Sequence, residues 1–277
     1  MICKAILSSK THPEFGQTTV PFPIPDSEYD HTIGLLEDMG IGSSTAQDCR
    51  VDELISSYPI LNRLITQSVN LDELDYLVKR LESFCPGEAA QFQAMASKLC
   101  LSDIKDFINL TFSCQQATVI TDFSDFERIG RDHYLNVNGG CASTKELENL
   151  DGEETACLLI SEGEGVVMPY GVVYDNGMRL EQVYDGRPLP EYHHEPCVAL
   201  VALSRPGQDG KETLYLSCPD IKIARALQRL GQRQIDEEGG EFGDRGYVAY
   251  KDTQPEIKEI LGRHIPPTQG AQIGGMT

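Results

Sequence analysis

Residues 70–81 read NLDELDYLVKRL and carry the clearest helical pattern of the 277-residue chain. Asn70 with Glu73 is typical of a helix start, because a polar side chain and an acid three positions later bond N–H groups that the first turn leaves free. Apolar residues then recur every three or four positions, so they share one stripe that faces a core. The same periodicity predicts that Asp72 and Asp75 face away from that core.

Two more helical patterns follow. The first begins after Pro86 and the second at a Ser102 cap, and each has an apolar stripe of its own. The gaps between the three patterns are only long enough for turns. The sequence therefore predicts a compact helical domain over residues 69–113.

The segments on either side mix strand and helix signals. Residues 1–68 contain an apolar strand, a proline-flanked edge strand, a helix with Asp26 as its expected N-cap and Gly40 at its end, and a strand near residues 48–55. Residues 114–195 form a second unit of this kind. Its signals are a strand at 117–121, a helix opened by a capping box of Ser143 and Glu146, and a hairpin of residues 166–174 and 178–184 around Asp175-Asn176-Gly177.

An internal repeat organises the end of the chain. Residues 213–220 match residues 19–26 in their order of strand, proline, aspartate and apolar helix, and residues 255–261 echo residues 59–65. Chance similarity between short amphipathic segments is the alternative explanation. The predicted fold class is α+β, elongated overall, with several small α+β units flanking the helical domain. The last two parts are a unit at 196–265 that repeats the first unit and a flexible tail at 266–277.

The chain is strongly acidic. It has 43 Asp and Glu against 23 Lys and Arg, a formal net charge of −20, and residues 111–195 alone hold 16 acids and 5 bases. Such a surface repels the phosphates of nucleic acid and attracts a basic partner from a distance. Acid excess can also serve solubility alone. Its concentration in one segment favours an acidic working surface, and no nucleic acid is expected as a partner.

Motifs of catalysis and cofactor binding are absent from the sequence. It has no Gly-x-x-x-x-Gly-Lys-Ser/Thr loop, no complete dinucleotide loop and no Gly-x-Ser-x-Gly elbow. His193 and His194 are adjacent, and adjacent side chains seldom share a metal ion. We therefore predict no catalytic residue, no metal and no cofactor.

One acidic cluster, at residues 122–133, is also compatible with a metal site or a catalytic site. Asp122, Asp125, Glu127 and Asp132 stand beside His133 and could hold a hard cation, although helix capping and pairing with nearby arginines explain the same pattern. A deep pocket that gathers Asp122, Asp132 and His133 would instead favour a hydrolase.

The nine cysteines are scattered singly, without a Cys-x-x-Cys pair, and the start of the chain lacks the features of a signal peptide. No stretch is long and apolar enough to span a membrane. These features predict reduced thiols, a cytoplasmic location and no membrane partner.

The runs YPILNRL at residues 58–64 and NLDELDYLVKRL at residues 70–81, continuing to Phe92, resemble the helical region of the ArdA antirestriction proteins of mobile genetic elements. The resemblance covers roughly residues 1–185. Two features depart from the family pattern: Asp75 stands where the family usually has Asn, and this chain is much longer and less densely acidic than a short ArdA protein. The C-terminal repeat of the first unit also lies outside the usual pattern.

The resemblance implies a DNA mimic, a homodimer whose carboxylates take the place of phosphates in the DNA groove of type I restriction–modification enzymes. The partner would be such an enzyme or another DNA-binding defence protein. A charge of −20 matches about 34 Å of duplex, so the mimic needs a second copy to extend it. The alternative is an accessory module of a mobile element that binds another host defence system without mimicry. The expected partner-binding acids are Asp72, Glu73, Asp75, Asp122, Asp125, Glu127, Asp132, Glu146, Glu148, Asp151, Glu153 and Glu154.

Overall fold

The computed structural model describes residues 2–191, 199–204, 211–216, 218–232 and 247–248. Helices and antiparallel sheets both occur in it, which confirms the α+β class. The predicted tail and the match at residues 255–261 lie outside the described residues. No helix of the described part is long and apolar enough to cross a membrane.

The first sheet has the strand order β2-β1-β3-β4 and is antiparallel throughout. Pro21 lies in β2, an edge strand, where a missing N–H breaks no ladder. Asp26 is the first residue of helix α1 and not its N-cap, because Pro25 occupies the N-cap position and no side chain caps this helix; the chain turns at Gly40 with a φ of 69°. The strands are β1 (Cys3–Ser9), β2 (Gln17–Phe22), β3 (Cys49–Ser56) and β4 (Ser68–Val69), and the helix is α1 (Asp26–Asp38).

Three helices follow, as the sequence predicted. The Asn70 side chain accepts hydrogen bonds from the N–H groups of Asp72 and Glu73 and so caps the first of them. The third is capped by Asp103 rather than by Ser102, because the Asp103 carboxylate accepts from the Lys105 N–H. The helices are α2 (Leu71–Glu82), α3 (Pro86–Lys98) and α4 (Ile104–Leu110).

One continuous core joins these helices to the first sheet. Phe22 of β2, Ile33 of α1, Leu74 of α2 and Phe107 of α4 are all fully buried within it. Burial of large side chains at about 25 cal/mol per Å² of apolar surface is the main force that holds the two segments together. The N-terminal sheet and the helices therefore support each other across residue 69.

The next unit combines a small sheet with three helices. Its strand order is β5-β7-β6, and the hairpin is formed by β6 and β7 around Pro169-Tyr170. The predicted hairpin of residues 166–174 and 178–184 is therefore wrong, because Pro169 cannot continue the ladder and residues 178–184 form no strand. The elements are β5 (Thr118–Ile120), α5 (Phe126–Val137), α6 (Thr144–Asn149), α7 (Gly152–Glu162), β6 (Val166–Met168) and β7 (Gly171–Tyr174).

The described part of the C-terminal unit pairs its strands like the first sheet. Its order is β10-β8-β9, and β8 lies between a hairpin partner and a later strand, as β1 does between β2 and β3. A proline immediately precedes the helix in both units, Pro25 before α1 and Pro219 before α8. The elements are β8 (Ala199–Ser204), β9 (Lys211–Leu216), α8 (Asp220–Leu227), a π-helical turn (Gln228–Gln232) and β10 (Tyr247–Val248).

Candidate functional site

Helices α5 and α7 cross at two glycines. A Cβ atom on Gly130 would lie 2.0 Å from the backbone oxygen of Gly152, and a Cβ on Gly152 would lie 2.5 Å from the backbone oxygen of Glu127. Real Cβ atoms do not approach backbone so closely, so only glycine allows this crossing. The crossing places Glu127 directly beside the acidic start of α7.

Arg131 connects the third helix to this pair. Its guanidinium donates a hydrogen bond of 3.0 Å to the backbone oxygen of Leu147 in α6 and lies 3.8 Å from the Glu127 carboxylate. Close backbone approach thus holds α5 against α7, and the hydrogen bond from Arg131 to a backbone oxygen holds α6 against α5. We call residues 118–168, which contain them, the acidic helical unit.

The acidic helical unit exposes all of its carboxylates. It contains eleven acids and three bases, a net charge of −8. Nine of the acids are predicted partner-binding residues, and the other two, Glu162 and Glu164, were missed although they stand in the same acid-rich segment. The nine are Asp122, Asp125, Glu127, Asp132, Glu146, Glu148, Asp151, Glu153 and Glu154, and every one is exposed.

Four of these acids also cap local structure. Asp125 accepts from the Arg128 N–H at the start of α5, and Asp151 accepts from the Glu154 N–H at the start of α7. Hydrogen bonds from Ser124 lower the pKa of Asp122, and those from Ser143 lower the pKa of Glu146. Both carboxyl groups are therefore firmly ionised at neutral pH. The capping box predicted at Ser143 is confirmed.

Asp72, Glu73 and Asp75 do not belong to the acidic surface, so the sequence-based assignment of these three residues is wrong. Their exposed fractions are only 4%, 7% and 6%. The polar stripe of α2 faces other parts of the chain rather than water. A pattern within one helix cannot reveal that its second face is also covered.

Each of these three carboxylates has an internal partner. Glu73 accepts a 2.8 Å hydrogen bond from the Tyr184 hydroxyl, and burial raises its pKa. Asp75 accepts a 2.7 Å hydrogen bond from the Ile24 N–H and lies 3.7 Å from the Lys79 ammonium. They hold the fold together and are not available to another protein.

Asp72 is the centre of a buried ionic cluster that joins α2 to the C-terminal unit. The Arg225 Nε donates to its Oδ1 at 2.9 Å, Arg229 donates to its Oδ2, and the Tyr29 hydroxyl donates at 3.3 Å. Arg229 also donates to Glu212 of β9 through Nε at 2.8 Å. Because each of these charges is paired, burial of the cluster avoids the large desolvation free energy of an isolated buried ion.

A small cavity of about 100 Å³ adjoins this cluster. Its walls include Asp72, Asp75, Glu212, Lys79, Lys222 and Arg229, three acids and three bases. Lys222 is itself fixed, because it bonds Asp26 and its ammonium lies 4.6 Å from the centre of the Tyr29 ring. The cavity is charge-balanced, and its walls come from the first unit, from α2 and from the C-terminal unit.

A larger cleft of about 700 Å³ separates α3 from α5, and we call it the α3–α5 cleft. Cys85, Glu88 and Gln91 line it on the α3 side. Asp122, Arg128, Asp132 and Asn136 line it on the side of the acidic helical unit, and β5 forms part of its wall.

The cleft brings together two of the three residues named for a hydrolase. Asp122 and Asp132 line it, whereas the His133 ring bonds Thr118, with 2.9 Å between Nδ1 and Oγ1. Burial lowers the pKa of His133 and raises that of Asp132. His133 Nδ1 therefore has a structural role, as the hydrogen-bond partner of the Thr118 hydroxyl. Within the described residues, no three His, Cys, Asp or Glu side chains converge to hold a metal ion.

The fold and the site define an α+β protein with a charge-dense helical unit and a polar cleft at its edge. No protein-family model, curated protein or solved structure matches the chain.

Proposed function

We propose that this protein is a non-enzymatic cytosolic inhibitor whose acidic helical unit acts as a DNA mimic, in the manner of the ArdA proteins that it resembles. The observation that carries the proposal is the set of eleven exposed carboxylates of this unit, seven of them within its three packed helices and the other four at helix caps or in adjoining loops. Its partner would be the DNA groove of a type I restriction–modification enzyme. Complementary charge would steer the two proteins together and set their register.

Charge density supports the proposal. A helix of 12 residues such as α5 is about 18 Å long at 1.5 Å per residue. Duplex DNA of that length carries about eleven charges. The acidic helical unit has eleven carboxylates and three bases, a net charge of −8, with seven of the carboxylates within its three packed helices, so its charge is of the same order as that of a short duplex.

A competition assay tests the proposal. The purified protein should displace a DNA duplex from a type I methyltransferase core at low salt, and its effect should weaken as salt is added. Failure to displace DNA even at low salt would reject mimicry for this target. A complex that forms without loss of DNA binding would support the alternative, a module that binds another part of a defence protein.

Charge reversal locates the contact surface. Glu148, Glu153 and Glu154 are exposed and their side chains cap no helix, so their replacement by lysine should leave the fold intact. We expect this triple variant to inhibit at least about tenfold less well, which corresponds to about 1.4 kcal/mol.

The matched control reverses three exposed acids of α1. They are Asp30, Glu37 and Asp38, whose replacement changes the total charge by the same amount. This control should inhibit like the wild type. Equal losses in both variants would mean that only total charge matters, and the contact surface would then not be the acidic helical unit.

We also propose that a second copy lengthens the mimic. Val166 and Val167 lie on the edge strand β6, and the Val167 side chain is 81% exposed. An uncovered apolar edge strand is a surface on which another chain can pair. Sedimentation should show a dimer that dissociates when Val167 is replaced by glutamate, and a monomeric wild type would contradict this.

A further inference from the structure

The α3–α5 cleft has more hydrogen-bond acceptors than the protein itself uses. Gln91 lines it and is 8% exposed. Its Nε2 donates to the Ala117 backbone oxygen at 2.6 Å and to Asn136 Oδ1 at 3.3 Å. Its Oε1 accepts no hydrogen bond from any described residue. This oxygen is not fully enclosed, so a ligand or water in the cleft can supply the donor that it lacks.

Asp132 adds a carboxylate to the same wall. It lines the cleft and is exposed, and the nearby Arg128 guanidinium interacts with it electrostatically. Asp122 and Glu88 lie on the same walls and carry two more negative charges, against the single guanidinium of Arg128. The net charge of the lining is therefore negative, although Asp122 and Glu88 also accept hydrogen bonds from Ser124 and from Cys85 and Gln115.

These features specify the chemistry of an occupant. It must be cationic to suit the acids and must carry several donors to satisfy both an amide oxygen and a carboxylate. A guanidinium group has five N–H donors in a plane and matches this set better than an ammonium group, which is a compact point charge. Apolar residues of the cleft, Val119 and Ile120 among them, suit the methylene stem of the same side chain.

We propose that the α3–α5 cleft receives an arginine side chain of the basic partner. This inference rests on the proposed function, because a DNA-binding groove is where such an arginine would be presented. The cleft lies at the edge of the acidic helical unit, since Asp122 and Asp132 belong to both. One inserted arginine would fix the register of a contact that is otherwise set by diffuse charge.

Cys85 gives a direct test that needs no restriction enzyme. Its thiol is exposed and lines the cleft, whereas Cys141 and Cys157 are exposed elsewhere and serve as internal controls. The probe is acetyl-Gly-Arg-Gly-amide, added to the full-length protein before alkylation by iodoacetamide, with the extent of modification at each cysteine read by mass spectrometry.

The arginine peptide should slow alkylation of Cys85 by about threefold at twice its dissociation constant, as mass action requires. The rates at Cys141 and Cys157 should not change. The corresponding lysine peptide should protect Cys85 less. Absence of selective protection at Cys85, or equal protection by the lysine peptide, would overturn the inference.

Asp132→Asn keeps the shape of the side chain and removes its charge. The variant should lose the protection of Cys85 by the arginine peptide, whereas Asp30→Asn, an exposed position of α1 outside the cleft and the acidic helical unit, should retain it. In the DNA competition assay Asp132→Asn should inhibit at least about fivefold less well than Asp30→Asn. If the wild type inhibits and both variants inhibit equally, the cleft inference fails while the proposed function stands. A wild type that does not inhibit would reject the proposed function, and peptide protection would still decide the chemistry of the cleft.

Discussion

At the scale of the residue, Asp72 has the largest structural role of any acid in α2. It is surrounded by donors from two distant parts of the sequence, Tyr29 of the first unit and two arginines of the last. Removing one member of a buried ionic cluster leaves its partners charged and unpaired, which costs more than the pair itself contributes.

We therefore expect Asp72→Asn to lower the free energy of unfolding by about 3–5 kcal/mol, because two buried guanidinium groups lose their carboxylate. Urea denaturation monitored by circular dichroism would measure this change. The control is Asp26→Asn, which removes an ion pair with Lys222 at a half-exposed carboxylate and should cost no more than about 1 kcal/mol. Similar losses in the two variants would show that the Asp72 cluster is not a major source of stability.

Glu73 predicts a pH dependence. Burial raises the pKa of its carboxyl above the usual range, although the hydrogen bond from Tyr184 acts in the opposite direction. The folded state thus binds this proton more tightly than the unfolded chain does. The resulting stability is present below the unfolded pKa and is lost as pH rises through the folded pKa.

Glu73→Gln lacks this loss. Relative to the wild type, the variant should gain stability as the pH rises from the acidic range to neutrality. Buried Asp75 and Glu212, whose pKa values are also raised, occur in both proteins and largely cancel in the difference. Urea titrations of both proteins at several pH values would measure it, and a difference independent of pH would contradict the assignment.

At the scale of the element, the crossing of α5 and α7 sets the shape of the acidic helical unit. The core beneath it is small, with Ile120, Ile129, Ala156 and Tyr174 as its buried members. Close backbone approach at the two glycines compensates for this small core by bringing the helices into direct contact.

Gly130→Ala should therefore destabilise the unit by about 1–3 kcal/mol or more, because the new methyl group would overlap the Gly152 carbonyl. Hydrogen exchange across residues 126–162 would detect the loosening. Gly34→Ala is the matched control, since Gly34 lies inside α1 with nothing within 4 Å of an added Cβ. It should be neutral or stabilising by up to about 1 kcal/mol. Unchanged exchange in Gly130→Ala would disprove a rigid crossing.

The sequence predicted most elements but not how they end or what covers them. Helices α1 to α3 follow their apolar stripes, and α2 also has its predicted Asn70 cap, because those signals are local. The prediction of a hairpin between residues 166–174 and 178–184 is wrong because the Asp175-Asn176-Gly177 turn signal does not require a strand on each side. Both Asn176 and Gly177 do adopt positive φ, yet residues 178–184 form no strand to pair with β7. Turn chemistry is local, whereas strand pairing requires a partner.

At the scale of the whole molecule, the acid excess has two opposite consequences. A net charge of −20 destabilises the folded state through self-repulsion, and the same charge attracts a basic partner. Salt screens both effects. The buried Asp72 cluster, removed from water, should respond weakly to salt.

Raising NaCl from about 0.02 to about 0.5 M should therefore increase the Tm of the isolated protein while it weakens inhibition of DNA binding. Differential scanning calorimetry and the competition assay measure the two trends. The variant with Asp30, Glu37 and Asp38 replaced by lysine should show a smaller increase in Tm, because less repulsion remains. A Tm that falls with salt would mean that surface attraction, not repulsion, dominates.

The sequence alone determined the α+β class, the order of most helices and strands, and the concentration of acid in one segment, because composition, periodicity and capping are properties of neighbouring residues. Tertiary structure decided which acids reach the surface. The nine predicted acids of the acidic helical unit are exposed, whereas Asp72, Glu73 and Asp75 are buried by groups between 43 and 157 positions away along the chain. The tertiary structure also formed the α3–α5 cleft, whose walls come from separate segments of the chain. A carboxylate is exposed or buried according to what the rest of the chain places against it, and no local pattern records that contact.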